Sequence, residues 1–247
     1  ADLTVDGSIC TGAAVCTVLA TKGVNIYLAL LAAVIAGLLA GLLTGLLHTV
    51  LGIPAILSGI LTQLILWSAN LKIMGKANIS LSARSYKVLL TQMNINSSLA
   101  VLAVIGIILI ALLYWFFGTE RGFTIRATGC NQNMARAQGI NTNVAKVLAL
   151  ALSNALVGLS GALIAQYQGS ADVNMGRGAI VIGLAAVIIG EVIFGKIFKN
   201  FALRLLAVAF GGIIYYVVMQ FVISLGLNTD DLKLLTAAVV AIFLGIP

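Results

Sequence analysis

Residues 28–47, LALLAAVIAGLLAGLLTGLL, decide the fold class of this chain. The run contains twenty residues and no charge, and about 20 apolar residues carry a helix across the hydrocarbon core of a bilayer. Gly37, Gly41 and Gly45 recur in it at four-residue spacing, so they share one helix face. Such a stripe of small residues lets a neighbouring membrane helix approach closely, and it predicts a packing surface rather than a binding site.

The composition extends this interpretation to the whole chain. Of its 247 residues 61% are hydrophobic and 9% are charged, whereas a soluble domain carries about 25% charged residues. These proportions predict an all-α, polytopic membrane helix bundle in one transmembrane domain. The formal net charge of +7 does not indicate nucleic-acid binding, because the basic residues are spread along the loops without a dense basic stripe.

Further apolar runs predict the other membrane helices. Full spans are expected at residues 53–69, 99–117, 147–166 and 205–227, with a polar loop at 70–98. Two runs, residues 9–21 and 178–190, are too short to cross a bilayer as straight single helices. They predict helices that are short, that are broken, or that begin in the middle of the membrane. Because residues 236–247 end inside an apolar run, we expect the sequence to be a piece of a longer chain, truncated at both ends.

A polar island, residues 129–141 (GCNQNMARAQGIN), separates two of the full spans. Asn131 is a favourable N-cap, residues 132–138 are a predicted short helix, and Gly139 suits the left-handed residue that ends it. Its many polar side chains keep this helix outside the hydrocarbon. The remaining apolar side chains of this segment are small and could pack against a partner; they are Met134, Ala135, Ala137 and Ile140. Composition alone leaves open a solvated loop that happens to be helical.

Residues 190–197, GEVIFGKI, nearly match the phosphate-binding loop G-x-x-x-x-G-K-S/T. The last position is Ile197, which has no hydroxyl to bind magnesium, and no strand–helix unit surrounds the motif. We therefore do not expect the chain to bind ATP. An enzyme of the membrane interior is a further alternative, but no Ser/His pair, H-E-x-x-H motif or paired intramembrane aspartates supports it, and we expect no cofactor.

A metal site is not expected either, since His48 is the single histidine. The three cysteines are Cys10, Cys16 and Cys130. They form no CxxC pair, and we expect small buried side chains at all three positions.

An internal repeat is visible in the sequence. Residues 1–15, ADLTVDGSICTGAAV, resemble residues 171–187, ADVNMGRGAIVIGLAAV, with Asp2 opposite Asp172. Repeats 1–119 and 171–247 would flank a loop at 120–146 and would have opposite orientations, because five segments separate their starts. Shared Gly/Ala-rich composition is the alternative explanation.

Paired short segments in inverted repeats indicate a translocation path. We expect residues 6–12 and 177–183 to meet near the bilayer centre, with half-helices that begin after Ser8 and Gly178 and present free N–H groups to a passing carboxylate. A tilted pair of helices without substrate contact is the alternative. The candidate path residues are Asp6, Ser8, Gly12, Pro54, Ser58, Thr62, Asn154, Gly178 and Gly183.

Several stretches together resemble one family. TIRATGCNQNMARAQGIN (residues 124–141) is similar to the cytoplasmic coupling loop of permeases of binding-protein-dependent ABC importers, the branched-chain amino-acid and simple-sugar permease family. DLTVDGS (2–8), LLHTVLGIPAILSGILTQ (46–63) and IGLAAVIIGEVIFG (182–195) resemble other parts of that family in the right order. Residues 70–81, NLKIMGKANISL, resemble its tryptophan/tyrosine-type branch. The chain departs from the sugar branch at Glu191, which replaces a glycine.

This resemblance implies the function and the partners. The coupling helix would seat in a groove of the ATPase, using Gly129, Asn131, Met134, Ala135, Arg136, Ala137, Gly139, Ile140 and Asn141. Two ABC ATPase subunits, a second permease subunit (identical in a homodimer) and an extracytoplasmic substrate-binding protein would be the partners. The location would be the bacterial plasma membrane.

The substrate would be a small solute, an amino acid first and aromatic ones included. A sugar or a nucleoside is the alternative. An ion-coupled secondary transporter is the other class that shows broken helices and inverted repeats. Basic residues do not settle the orientation, because seven lie on each side of the predicted membrane.

Overall fold

The computed structural model describes residues 2–81, 86, 88–195 and 200–224. Several predictions lie outside these residues: the end of the span at 225–227, the apolar terminus 236–247, and Ile197 of the near-match to a phosphate-binding loop. Within the described ranges the helices are α1 Val5–Thr21, α2 Ile26–Thr49, α3 Ala55–Met74, α4 Ile95–Phe117, α5 Glu120–Cys130, α6 Gln132–Ala137, α7 Thr142–Gln168, α8 Ala179–Phe194 and α9 Phe201–Ser224. The strands are β1 Asn78–Ser80 and β2 Ser170–Asp172.

Five of these helices, α2, α3, α4, α7 and α9, are long and apolar enough to cross a membrane. They coincide with the five predicted spans, which confirms the polytopic all-α bundle. Helix α1 has 17 residues and α8 has 16, so the prediction of two short apolar helices is also confirmed. Helix α3 continues to Met74, five residues past the expected end of the span at residue 69, because Asn70 is buried and does not end the helix.

The chain divides into two compact units. Unit 1 contains Ala1–Ile107 and Trp115–Arg177, and unit 2 contains Ile108–Tyr114 and Gly178–Pro247. Helix α4 contributes to both. Ser98 is its one buried residue among the described side chains.

The core of unit 1 is formed by α2 and α7, and the glycine stripe of α2 makes it possible. A Cβ at Gly37 would overlap the carbonyl oxygen of Asn154, and a Cβ at Gly41 would overlap that of Leu150. Gly45 also faces α7. The stripe is therefore a packing surface, as predicted.

Helix α1 runs beside the second half of α7 in the same direction. Ser8 Oγ donates a hydrogen bond of 2.6 Å to Asn154 Oδ1 near the start of α1. Further along, Gln166 Nε2 donates to Cys16 Sγ over 3.5 Å. Asn154 is the thirteenth of the 27 residues of α7, so α1 begins at about half the height of its neighbour. The expectation of a helix entered from the middle of the bundle fits this arrangement.

A two-stranded antiparallel ribbon completes unit 1. Its register pairs Asn78 with Asp172 and Ser80 with Ser170. The ribbon lies against the second half of α1, where Ala13 and Ala14 pack in one cluster with residues of α3, α7 and β2. No local pattern predicted it, and it is a small addition to an otherwise helical fold.

Unit 2 is held by α8 and α9. A Cβ at Gly190 would overlap the carbonyl oxygen of Ala207, and a Cβ at Gly211 would overlap that of Ala186. Tyr215, 1% exposed, packs in a cluster with residues of both helices. Glu191, expected to end the apolar run, lies inside α8.

Candidate functional site

Helix α6 is the centre of the predicted coupling site. Asn131 caps it: the side-chain Oδ1 accepts hydrogen bonds from the backbone N–H groups of Asn133 (3.0 Å) and Met134 (3.1 Å). Two of the four N–H groups that a helix leaves unpaired at its start are satisfied in this way. The predicted helix and its N-cap are confirmed.

A Schellman motif ends α6. The N–H of Gly139 donates to the carbonyl oxygen of Arg136, and the N–H of Ile140 donates to that of Ala135, both over 3.0 Å. Gly139 has φ +78°, a left-handed conformation that costs a residue with a Cβ roughly 1–2 kcal/mol. A Cβ there would meet no atom within 4 Å, so the backbone conformation, and not lack of space, requires glycine.

The chain then enters α7 directly. Asn141 caps this helix as Asn131 caps α6, accepting from Asn143 N (3.1 Å) and Val144 N (3.2 Å). Two adjacent capped helices leave a connection of only a few residues between α6 and the membrane helix.

A side-chain contact also joins the two helices. Arg136 Nε donates a hydrogen bond of 2.9 Å to Thr142 Oγ1, and Thr142, the first residue of α7, is 2% exposed. The rest of the α6 surface is open: Ala135 is 0% exposed and the other five residues are exposed. Helix α6 is thus linked to α7 on one side, and its remaining surface is accessible to a partner.

The segment before α6 is helical and was predicted as a loop. Thr119 precedes α5, and its Oγ1 accepts from Gly122 N over 3.4 Å. Gly129 lies in the last turn of α5. Cys130 ends the helix and is exposed, so the expectation of a buried thiol is wrong there; Cys10 and Cys16 are buried as expected. The reason is that α5 lies beside the polar island and not within an apolar span.

A groove of about 270 Å³ lies between α5 and α7. Its apolar lining includes Ile125 from α5, Ile140 from the α6–α7 connection, and Val144 and Leu148 from α7. The polar rim includes Arg121. The coupling candidates thus stand next to an apolar depression on the same face of unit 1.

Two of the predicted path residues, Ser8 and Asn154, lie in a buried polar contact between α1 and α7. Ser8 and Asn154 are both 0% exposed, and Asn154 Nδ2 donates to Asp2 Oδ2 (2.7 Å) and to Leu150 O (2.9 Å). They form a buried polar network between α1 and α7. The prediction that a half-helix begins after Ser8 is wrong, since α1 begins at Val5 and Ser8 lies in its first turns, held by this network.

Other path candidates serve helix packing or helix ends. Ser58 and Thr62 are buried and donate to carbonyl oxygens of their own helix, over 2.8 Å and 3.0 Å. Gly12 lies against Gly158 of α7. Pro54 is the exposed N-cap residue of α3.

Two candidates lie in unit 2. Gly178 has φ +88° and precedes α8, so the predicted helix start after this residue is confirmed. Gly183 is exposed within the same helix.

Asp6, a path candidate of unit 1, lines an open cleft of about 320 Å³. The other polar residues of this cleft are Gln63, Asn70 and Arg177, and Trp67 is its aromatic residue. Arg177 begins the segment 177–183 that was expected to meet residues 6–12, whereas Gln63, Trp67 and Asn70 were not predicted as site residues. Gln63, Trp67 and Asn70 follow one another at spacings of four and three, so they share a face of α3. That periodicity was the available signal, although the apolar residues between them mask it.

Comparisons with known proteins show which family the chain resembles. A family described as "Branched-chain amino acid transport system / permease component" matches residues 1–245. The tyrosine transport system permease protein of Clostridioides difficile (strain R20291) is 42% identical over 244 residues, which cover 99% of this chain and 81% of that protein. An uncharacterized protein of Rickettsia prowazekii is 34% identical over 246 residues, 99% of this chain and 86% of its own length.

A more distant match is to the ribose import permease protein of Escherichia coli (strain K12). It is 32% identical over 87 residues, 35% of this chain and 27% of that permease. No solved structure matches the chain at a significant level. The matches confirm the family resemblance and its tyrosine-type branch.

Proposed function

The chain belongs to the family of permease components of branched-chain amino acid transport systems, and from that premise we propose that it imports an amino acid with an aromatic side chain. As a permease it is a multi-pass subunit of the bacterial plasma membrane and not an enzyme. An ATPase and a substrate-binding protein are its partners in such a system, and ATP hydrolysis belongs to the ATPase. Family membership also decides against the ion-coupled secondary transporter.

One observation carries the substrate proposal: the 42% identity to a tyrosine transport permease extends over 99% of the chain. The likeness to a ribose permease covers 35% of it at 32% identity. A sugar is therefore the second candidate, and the shorter match is what supports it.

We further propose that α6 is the coupling helix. Its open face would seat on the ATPase, with Met134, 45% exposed, as the largest apolar contact. Motion of the ATPase would reach α7 through the short capped connection and through the hydrogen bond from Arg136 to Thr142. Because α7 packs on α1 and α2 through glycines, a shift of α7 would move these helices with it.

In the complete importer we propose two copies of this permease, each with one ATPase. A binding protein outside the cell would deliver the substrate to the end of the permease opposite α6.

Reconstituted transport tests the proposed function. The permease is purified with its ATPase, placed in liposomes with the cognate binding protein, and supplied with ATP and radiolabelled L-tyrosine or D-ribose. We expect ATP-dependent uptake of L-tyrosine that unlabelled L-tryptophan reduces. Uptake of D-ribose without uptake of any aromatic amino acid would overturn the substrate proposal. A permease that purifies without an ATPase would contradict the coupling proposal.

A further inference from the structure

The open cleft of unit 1 lies between α1, α3 and the segment that follows β2. Its lining consists of Asp6, Gly7 and Cys10 from α1, Gln63, Leu64, Trp67 and Asn70 from α3, and Val173 and Arg177 from the third side. The volume, about 320 Å³, is within the range of small-molecule sites, which begins at roughly 300 Å³. Two opposite charges, an amide and an indole therefore border one space.

Asn70 is the residue that points to a ligand. It is 0% exposed, yet neither Oδ1 nor Nδ2 has a hydrogen-bond partner. An unpaired amide inside a protein loses its hydration without compensation, and the loss is greater within a membrane than in a soluble protein. Such groups are rare and require an explanation, and a polar ligand in the adjoining cleft supplies both the donor and the acceptor that Asn70 lacks.

The walls of the cleft are fixed by two glycines. A Cβ at Gly7 would lie 3.0 Å from Leu66 Cδ1 and 3.3 Å from Gln63 Cα, so α1 and α3 meet closely at its floor. A Cβ at Gly176 would overlap the carbonyl oxygen of Asp6. Because neighbouring segments pack closely against both glycines, the cleft has a defined shape before any ligand binds.

Gly176 also sets the position of the basic residue. Its N–H donates to Cys10 Sγ over 3.2 Å, which ties the segment after β2 to α1. Arg177 follows directly and lines the same cleft as Asp6.

We propose that this cleft binds the zwitterion of an α-amino acid with an aromatic side chain, as a second recognition step within the permease. Arg177 pairs with the α-carboxylate, for which a guanidinium is the best-matched side chain. Asp6 pairs with the α-ammonium, Trp67 stacks on the aromatic ring, and Asn70 hydrogen-bonds a polar atom of the ligand. A neutral sugar would use neither charge. The inference rests on the proposed import of aromatic amino acids, and it adds the position in the permease at which the amino acid is recognised.

The position of the cleft suits the entry of substrate. It borders the ribbon that follows the C-terminal end of α7, whereas α6 precedes the N-terminal end of that helix. With 27 residues, α7 separates the two by about 40 Å at 1.5 Å per residue. Substrate recognition and ATPase coupling thus occupy opposite ends of unit 1.

Tryptophan fluorescence tests the site directly, because Trp67 and Trp115 are the two tryptophans of the chain. Trp115 is 71% exposed on α4, and Trp115→Phe leaves Trp67 as the single tryptophan of the permease. In the permease–ATPase complex in nanodiscs, without binding protein, the Trp67 signal is the difference in emission between this variant and the matched complex that also carries Trp67→Phe. Added L-tyrosine is expected to change this difference saturably, and D-ribose is expected to leave it unchanged. In this background Asn70→Leu and Arg177→Gln are each expected to weaken L-tyrosine binding roughly tenfold or more.

The control is a second buried group without a partner. Thr17 Oγ1 is also unpaired but does not line the cleft, so Thr17→Val should leave L-tyrosine binding unchanged. Asn70→Leu removes an unpaired amide and should keep or raise the melting temperature. If it raises that temperature while L-tyrosine binding stays at the wild-type level, Asn70 holds only a water or nothing, and the site is wrong. Arg177 is exposed, so Arg177→Gln gives an independent answer if Asn70→Leu does not fold.

Transport separates this proposal from the proposed function. Liposomes that import L-tyrosine equally with wild-type, Asn70→Leu and Arg177→Gln permeases would reject the cleft and retain the importer. Liposomes that import D-ribose and no aromatic amino acid would reject both.

Discussion

Arg136 Nε donates a hydrogen bond of 2.9 Å to Thr142 Oγ1, and this bond joins the short helix α6 to the first residue of the membrane helix α7. The acceptor is 2% exposed, while the residue that donates lies on the open face of the protein. Arg136 therefore has two roles to separate: an internal link to α7 and a positive charge presented to a partner.

Charge reversal at Arg136 is the first prediction. Arg136→Glu should insert into the membrane normally and lose most substrate-stimulated ATPase activity, because it removes the link and reverses a charge at a docking surface, an effect of a few kcal/mol at most. The measurement is ATP hydrolysis by the reconstituted complex with and without loaded binding protein. Stimulation equal to wild type would contradict the coupling role.

Thr142→Val separates the two roles of Arg136. It removes the hydrogen-bond acceptor and retains the charge. If the link matters for coupling, Thr142→Val loses stimulation while ATPase binding persists. If only the charge matters, Thr142→Val behaves as wild type and Arg136→Glu alone fails.

The second prediction concerns the end of α6. Gly139→Val should lower the yield of the assembled permease–ATPase complex, because a β-branched residue at φ +78° costs roughly 1–2 kcal/mol and redirects the chain before Asn141. Gly106→Val on α4 is the matched control, because Gly106 is not among the coupling residues. A Cβ meets nothing within 4 Å at either glycine, but Gly106 has no positive φ. Equal yields for the two variants would show that the left-handed turn is not required.

The third prediction concerns the core of unit 1. Gly41→Leu should reduce the amount of folded protein and lower its melting temperature, because any Cβ there overlaps the backbone of α7. Gly106→Leu on α4 serves as the control, since a Cβ at that glycine meets nothing within 4 Å. Size-exclusion profiles and thermal unfolding in detergent measure both. A Gly41→Leu protein as stable as the control would mean that α2 and α7 do not pack through this stripe.

The parts of the fold that the sequence predicts are those set by local chemistry. Asn131 and Gly139 define the two ends of α6 through their own caps, so the nine consecutive residues 131–139 suffice to predict them. The glycine stripe of α2 predicts close packing in the same way. It does not name α7 as the neighbour, because spacing within one helix carries no information about the partner.

The parts that it does not predict depend on residues far apart in the chain. Ser8 lies inside α1 because Asn154, 146 positions away, accepts its hydrogen bond. The ribbon pairs Asn78 with Asp172 across a comparable separation. Asn70 was the first residue of the predicted polar loop. Its burial beside the cleft depends on the packing of α3 against α1, which the local sequence does not reveal.

The last prediction uses the accessibility of thiols. Cys130 is the exposed cysteine, while Cys10 and Cys16 are buried, so a water-soluble maleimide should label one thiol per chain, and Cys130→Ser should abolish the labelling. Bound ATPase should protect Cys130, which directly precedes Asn131, the N-cap residue of α6. In a background without the three native cysteines, Asp6→Cys at the open cleft should react and Ser8→Cys, at a position that is 0% exposed, should not. Mass spectrometry of the labelled protein measures each case. Rapid labelling of Ser8→Cys in the absence of nucleotide would mean that water reaches the Ser8–Asn154 network, and that the path runs through it and not beside it.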